Sequence, residues 1–484
     1  MTSKLLRNAA YINGEWVSSS TKEKNFDVTN PATGEVLAAV PNLGPAETTR
    51  AVEMAHAAFG SWKKRTAKER SGFLQKWFQL ILQNQEELAA LLTAEQGKPM
   101  TESRGEVAYG ASFIEWFAEE GKRVYGDVIP EPVAGRKILV TKEPIGVVAA
   151  ITPWNFPVAM ITRKVGPALA AGCTVVVKPA EETPLCALAL AVLAHEAGIP
   201  AGVFNVVTSK DPVAVGQVLT THPLVRKVSF TGSTEVGKIL MKQSSSTLKK
   251  LSLELGGNAP FIVFEDADID SAVAGAMISK FRNSGQTCVC TNRFLIHDKV
   301  YEEFSKKLSI AVKNLKVGPG SVAENQQGPL INDEAVQRVE SLVQDALRGG
   351  AKCLTGGNRH SLGRTFFEPT VLTETKPQMR INNEETFGPI APLIRFSTES
   401  EAISIANDTP FGLASYFYAR DIGRIWRVAE ALEYGMVGVN EGLISNEVAP
   451  FGGRKESGFG REGSKYGIQD YLEIKYILMG GLLT

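Results

Sequence analysis

The sequence predicts an α/β protein in which a doubly wound parallel sheet is followed by a second α/β unit. Two observations carry that prediction. From Val147 onward, short β-branched apolar runs alternate with helical stretches, and the alternation starts afresh after Leu255. The chain also has 484 residues, more than a single core accommodates, so two or three domains are expected.

Taken in order, Ile12-Asn13-Gly14-Glu15-Trp16 reads as a strand and turn. Thr66 to Gln96 reads as one helix. Thr66 and Glu69 suit a capping box, Phe73, Trp77, Leu80 and Ile81 form an apolar stripe, and Gly97-Lys98-Pro99 stops it. A second helix is expected over Ala111 to Arg123. The first alternation places strands at Val147–Ile151, Thr174–Val177, Val203–Val207, Lys227–Phe230 and Leu251–Leu253. Helices fall between them at Ala159–Ala171, Pro184–Ala197, Val213–Thr221 and Val236–Ser244. Ligands of such a parallel sheet bind beyond the carboxyl ends of its strands. The second alternation has strand Phe261–Phe264, helix Ala267–Phe281, strand Arg293–Ile296 and helices Val300–Asn314 and Ala335–Leu347. It continues through Phe366–Leu372, Ile390–Phe396, Ala414–Ala419 and Met436–Asn440. The glycine-rich stretch from Phe451 to Gly467 has too little side-chain volume for core and reads as loop, and Tyr471–Met479 reads as a final strand.

Composition excludes several partners. With 52 basic and 52 acidic residues the net charge is +0, so no field favours nucleic acid or an anionic membrane. The longest smooth apolar run, Leu185 to Ala194, falls far short of the roughly 20 residues a membrane helix needs. Met1 to Ala10 carries Lys4 and Arg7 without an acid, yet the strand-turn element that follows leaves little room for a targeting signal. The expected compartment is the cytoplasm, or the mitochondrial matrix if this is a processed mature form. Five cysteines (173, 186, 288, 290, 353) make no disulfide framework and fit a reducing compartment. Neither they nor the five histidines have metal-site spacing, so no metal is expected. His297, in Phe294-Leu295-Ile296-His297-Asp298, reads as a partly exposed histidine at a strand end and not as a catalytic base.

The chemistry is concentrated in a few segments. Glu254 stands in Leu253-Glu254-Leu255-Gly256-Gly257, and Cys288 in Asn283-Ser284-Gly285-Gln286-Thr287-Cys288-Val289-Cys290. An ionised thiol is a strong nucleophile, and a carboxylate serves as general base without a histidine. Phe230-Thr231-Gly232-Ser233-Thr234-Glu235-Val236-Gly237 follows a strand and opens a helix, whose first N–H groups attract a pyrophosphate. Lys178-Pro179-Ala180-Glu181 follows another strand, Thr152-Pro153-Trp154-Asn155-Phe156-Pro157 closes the first, and Glu384-Glu385-Thr386-Phe387-Gly388-Pro389 lies further on.

Together, in this order and from about residue 11 to the C-terminus, these segments resemble the aldehyde dehydrogenase superfamily. The resemblance implies that Cys288 attacks an aldehyde while the Asn155 side chain and the Cys288 N–H hold the oxyanion. Hydride then passes to a nicotinamide, and Glu254 activates the water that hydrolyses the thioester. Members that acylate coenzyme A lack this Glu. The resemblance also implies that Lys178 and Glu181 bind the adenosine ribose, that Gly232, Ser233 and Gly237 meet the pyrophosphate, and that Glu385 and Phe387 flank the nicotinamide ribose and ring. Thr152, Pro153, Trp154 and Gly256 belong to the same cofactor site. A carboxylate at Glu181 accepts from a ribose 2′-hydroxyl and repels a 2′-phosphate, which favours NAD and leaves NADP as a weaker cofactor. A cysteine hydrolase would need a Cys–His pair, and no histidine stands near either motif.

Within the superfamily, the chain is most similar to succinate-semialdehyde dehydrogenases. That similarity rests on Ala159-Met160-Ile161-Thr162-Arg163-Lys164, Ser279-Lys280-Phe281-Arg282-Asn283, Asn440-Glu441-Gly442-Leu443-Ile444-Ser445 and Gly460-Arg461-Glu462-Gly463-Ser464-Lys465-Tyr466-Gly467. It implies that Arg163, Arg282 and Ser445 hold a carboxylate at the far end of the substrate, for which guanidinium forks are suited. The other reading pairs Arg163 or Arg282 with a neighbouring Asp or Glu. The expected reaction is oxidation of succinate semialdehyde to succinate, as in 4-aminobutyrate degradation, with glutarate semialdehyde or another carboxylated or aliphatic aldehyde as the alternative. The implied fold has three parts: an NAD-binding domain (1–123 and 144–255), a catalytic domain (256–455) and a bridging sheet (124–143 and 456–484). In that sheet Tyr125–Glu143 joins the C-terminal strand and pairs subunits into a homo-oligomer, a dimer or a dimer of dimers. Cys290 lies two residues beyond the nucleophile, and a Cys288–Cys290 bridge needs Cα atoms within roughly 7 Å. So small a ring would be strained and easily reduced, a redox switch that intercepts a sulfenic acid, unless Cys290 merely packs.

Overall fold

In the computed structural model, which describes residues 3–19 and 24–482, the first alternation builds an eight-stranded sheet. Met1 and Thr2 of the basic start lie outside the described residues. The strand order is Glu15–Val17, Ala10–Ile12, Phe204–Val206, Thr174–Lys178, Val147–Ile151, Val225–Thr231, Lys250–Glu254 and Gly458–Phe459. The five central strands are parallel. Helices cover both faces, which is why a strand such as Thr174–Lys178 is apolar almost throughout and buried at every residue. The apolar run that opens at Leu185 is likewise a core helix, Pro184–Glu196, buried from Pro184 to Ala194. Strand order reverses at Val147–Ile151. The chain steps outward from it to Thr174–Lys178 and Phe204–Val206, then returns to its other side for Val225–Thr231.

The second sheet has seven strands, in the order Lys352–Thr355, Thr370–Thr373, Ile390–Phe396, Thr291–His297, Ala259–Val263, Ala414–Tyr418 and Met436–Val439. All its pairings are parallel except that of the edge strand Lys352–Thr355. A separate antiparallel sheet joins Leu472–Met479 to Lys137–Pro144 over eight registered pairs, with Asp127–Ile129 on its far side. Val128 (71%), Ile474 (72%) and Tyr476 (60%) expose apolar side chains on it.

Several expectations need correction. Thr66 to Gln96 is two helices, Ala67–Gln83 and Gln85–Gln96, because Asn84 leaves helical geometry (φ −108°, ψ 19°) and its side chain donates to the Leu80 carbonyl at 2.7 Å. The capping box itself is present, with Glu69 N–H on Thr66 Oγ1 and Thr66 N–H on Glu69 Oε2. The helix expected from Ala111 starts after Pro99 and spans Met100–Glu120. Helices Pro45–Trp62, Glu399–Asn407 and Ile422–Ala431 had no counterpart in the reading. Gly458–Phe459 pairs with Leu253 and Glu254, so the segment assigned to the bridging sheet from residue 456 begins as an edge of the first sheet. His297 ends its strand but is buried, with Nε2 3.1 Å from the Ser397 carbonyl and Nδ1 accepting the Lys299 N–H. Among the described residues no helix is long and apolar enough to cross a membrane, and no group of three or more His, Cys, Asp or Glu side chains is placed to hold a metal ion.

Candidate active site

Strand register assembles the site. Ile151 pairs with Lys178 and Thr231 with Glu254, so four strands release their next residues along one edge of the sheet. The Thr152 N–H donates to the Lys178 carbonyl at 3.1 Å, and the Gly232 N–H to the Glu254 carbonyl at 3.1 Å. This edge lies beside the reversal in strand order, where neighbouring connections diverge and leave a crevice.

The crevice holds a cavity of about 230 Å³, and nine residues assigned from the sequence line it. Pro153, Trp154 and Asn155 come from the first strand's end, Gly232 and Ser233 from the next turn, and Gly256 from the Glu254 segment. Cys288, Glu385 and Phe387 close it from the second sheet. Two glycines let these segments touch. A Cβ on Gly257 would lie 2.6 Å from the Cys288 carbonyl oxygen, and one on Gly285, already at φ +75°, would lie 2.2 Å from that of Gly388.

These residues fit a dinucleotide. The Ser233 side chain caps the helix Thr234–Ser244 by accepting the Val236 N–H, which leaves a helix N-terminus at the cavity. Glu385 accepts the Gly257 N–H at 3.0 Å, and burial pushes its carboxyl up to about 7. The Trp154 and Phe387 rings meet edge to face, 5.5 Å apart at 85°. Lys178 and Glu181 stand beyond this lining, joined by an ion pair of 2.9 Å. Gly237 serves packing: a Cβ there would come 2.5 Å from Leu255 Cδ2.

Cys288 is a half-buried free thiol, which burial pushes up to about 12; Arg163 opposes that rise, while Glu385 and Glu254 add to it. At rest the sulfur therefore keeps its proton. Glu254 is buried, and among the described residues neither carboxyl oxygen has a hydrogen-bond partner. Burial, followed by repulsion from Glu462, holds its carboxyl well above the usual range against the pull of Arg163 and Lys164. Asn155 uses one amide hydrogen on the Gln286 carbonyl at 3.0 Å, leaving its second for a ligand. The Asn155 backbone carbonyl accepts from Lys98 Nζ (2.7 Å) and Asn283 Nδ2 (3.1 Å). Lys98 is paired in turn with Glu106, which accepts the Val158 N–H at the start of the helix Ala159–Ala171. Sequence reasoning missed this supporting set, having taken Lys98 only as part of a helix stop.

The three residues assigned to a substrate carboxylate separate. Arg163 does not stand free: its Nη2 lies 2.7 Å from Glu462 Oε2, as an ion pair misaligned for a hydrogen bond, and both side chains are buried. Its guanidinium stacks 4.0 Å over the Phe451 ring, and Lys164 holds the other Glu462 oxygen. This is the neighbour-paired arrangement. Arg282 and Ser445 instead share the wall of a second cavity of about 240 Å³, together with Phe156, Tyr109, Glu102 and Glu106. Arg282 lies 5.4 Å from the Phe156 ring, and among the described residues it has neither ion pair nor hydrogen bond. Burial holds Glu102 above the usual carboxylate range, which limits its repulsion of an anion there. Cys290 is buried, and its thiol donates to the carbonyls of Lys280 (3.5 Å) and Thr291 (3.4 Å).

Residues 16–477 match the aldehyde dehydrogenase family. A 3-sulfolactaldehyde dehydrogenase of Pseudomonas putida is 63% identical, over 99% of this chain and 98% of its own. A glutarate-semialdehyde dehydrogenase of Pseudomonas aeruginosa and an NADP-dependent succinate-semialdehyde dehydrogenase of Escherichia coli are each 59% identical, over 99% of both chains. The crystal structure of a succinate-semialdehyde dehydrogenase from Burkholderia pseudomallei superimposes with a TM-score of 0.98 at 62% identity, covering 99% of this chain and 100% of that one.

Proposed function

Because the chain belongs to the aldehyde dehydrogenase family, we propose that it oxidises an aldehyde bearing an anionic group at its far end, succinate semialdehyde before others. NAD is the preferred cofactor in this reading. The carrying observation is the second cavity: among the described residues neither Arg282 nor Ser445 has a hydrogen bond or ion pair, and Asn155 lines the first cavity while Phe156 lines the second. In this reading one short molecule presents its aldehyde carbon to Cys288 and its carboxylate to Arg282.

Cys288 is the nucleophile, and the spare Asn155 amide hydrogen and the Cys288 N–H hold the oxygen that becomes anionic. Bound nicotinamide supplies the hydride acceptor. Pro153, Trp154, Gly232, Ser233, Gly256, Glu385 and Phe387 would hold it, with Lys178 and Glu181 at the adenosine end. Glu181 favours NAD, since a 2′-phosphate would meet its charge. Glu254, once ionised, takes the proton of the water that releases the acid. The exposed apolar strip of Val128, Ile474 and Tyr476 supports pairing of subunits through the three-stranded sheet. Five free cysteines support a reducing compartment such as the cytoplasm.

The test compares kcat/KM for succinate semialdehyde, glutarate semialdehyde, 3-sulfolactaldehyde and butanal, each with NAD and NADP. Preference for an anionic aldehyde with NAD supports the reading; a best rate on butanal, or equal use of the cofactors, overturns the corresponding half.

A further inference from the structure

Tyr109 was not among the residues singled out in the sequence, yet its place in the second cavity is unusual. It sits on the helix Met100–Glu120, and its ring meets Phe113 edge to face at 5.0 Å and packs against the cluster of Phe156, Ala159 and Met160. The ring is held on all these sides, so the hydroxyl's position is set by packing. That hydroxyl oxygen is buried and, among the described residues, has no hydrogen-bond partner. An unpaired buried hydroxyl costs stability, and a protein keeps one at little benefit unless a ligand completes it.

Its surroundings indicate which ligand. Tyr109 lines the same wall as Arg282 and Ser445, which among the described residues have neither hydrogen bond nor ion pair. Arg163 and Arg282 are the cations that act on the phenol, and Arg282 shares its cavity wall. Burial raises the phenol above its ordinary range, so it remains protonated and able to donate. A donor beside a guanidinium favours an anion's oxygen over any neutral group.

We propose that Tyr109 is a specificity-determining residue, whose hydroxyl donates to the anionic end of the substrate and completes a three-armed anchor with Arg282 and Ser445. This rests on the substrate reading given above. It also implies that the anchor distinguishes charge from mere length, because Phe156 and the Tyr109 ring would accept a neutral chain equally well.

The test is Tyr109→Phe, which removes one oxygen and keeps the packed ring. KM for succinate semialdehyde should rise about tenfold, as for one lost hydrogen bond to a charged group, with kcat unchanged. KM for butanal should not move, and the thermal midpoint of the ligand-free enzyme should stay level or rise, since an unsatisfied buried group has gone. Equal KM changes on both aldehydes, no change on either, or a lowered midpoint would overturn the proposal and leave Tyr109 structural. The wild-type ratio of succinate semialdehyde to butanal is measured alongside. If the wild type shows no preference, the substrate reading itself fails; a preference that survives intact in Tyr109→Phe removes only the role of Tyr109.

Discussion

Replacing Arg282 and Arg163 in turn by Gln separates an arginine that holds substrate from one that holds the protein together. Among the described residues Arg282 has neither ion pair nor hydrogen bond, so Arg282→Gln breaks no pairing within the protein; what it removes is the proposed partner of the substrate's carboxylate. Losing one half of such a pair costs about 2–5 kcal/mol, and solvent at the half-buried guanidinium favours the lower end. At about 1.4 kcal/mol per tenfold, kcat/KM for succinate semialdehyde should fall roughly 30-fold, with butanal nearly unaffected. Arg163→Gln should behave differently. Its partner Glu462 is buried with it, and an uncompensated buried charge costs about 3–5 kcal/mol, a figure that Lys164 on the other oxygen reduces. The extra negative charge would also act on Glu254, so both aldehydes should lose rate and the protein should melt earlier. Steady-state rates on the two aldehydes and a thermal melt read both outcomes. If Arg163→Gln lost only the carboxylated substrate at unchanged stability, Arg163 would leave Glu462 to hold that substrate, and its structural role would be wrong.

Since burial raises the Cys288 thiol to about 12, its alkylation by iodoacetamide in the cofactor-free enzyme should climb with pH by about tenfold per unit between 7 and 9; a plateau near neutrality would show a thiolate already formed. Glu181→Ser should narrow the gap between NAD and NADP, and an unaltered cofactor ratio would remove Glu181 from that choice. For Cys290, peroxide followed by dithiothreitol should restore wild type better than Cys290→Ala if the two cysteines bridge. Equal recovery would leave Cys290 as the buried, carbonyl-bonded residue it is in the structure.

Legibility in the sequence followed locality. The helix Ala159–Ala171 and the strand Ile390–Phe396 were read to the residue, because composition and flanking breakers both change at their ends. The break at Asn84 was invisible, since the apolar stripe continues through it and no Gly or Pro interrupts it. The first turns of Met100–Glu120 were lost because Gly105 and Gly110 weaken a helical pattern that tertiary packing sustains. The crevice was legible because its residues sit in short motifs, each at the end of a strand. The Arg163–Glu462 pair and the Tyr109 hydroxyl were not: both depend on distant segments meeting, and neither arginine nor tyrosine advertises its partner in its neighbours. His297 was misjudged for the same reason, its cover coming from Ser397 on another segment.

The central claim is that an anionic aldehyde becomes acylated on Cys288 and waits there for Glu254. Glu254→Gln keeps the shape of the side chain and removes the base, so mixing this variant with NAD and succinate semialdehyde, quenching in acid and mapping peptides by mass spectrometry tests the claim directly. One succinyl group should appear on the peptide holding Cys288, absent without NAD and absent in Cys288→Ala, and accumulating much more weakly as a butyryl group when butanal replaces the substrate at equal concentration. Wild-type steady-state turnover in Glu254→Gln, or acylation at a different residue, would contradict it.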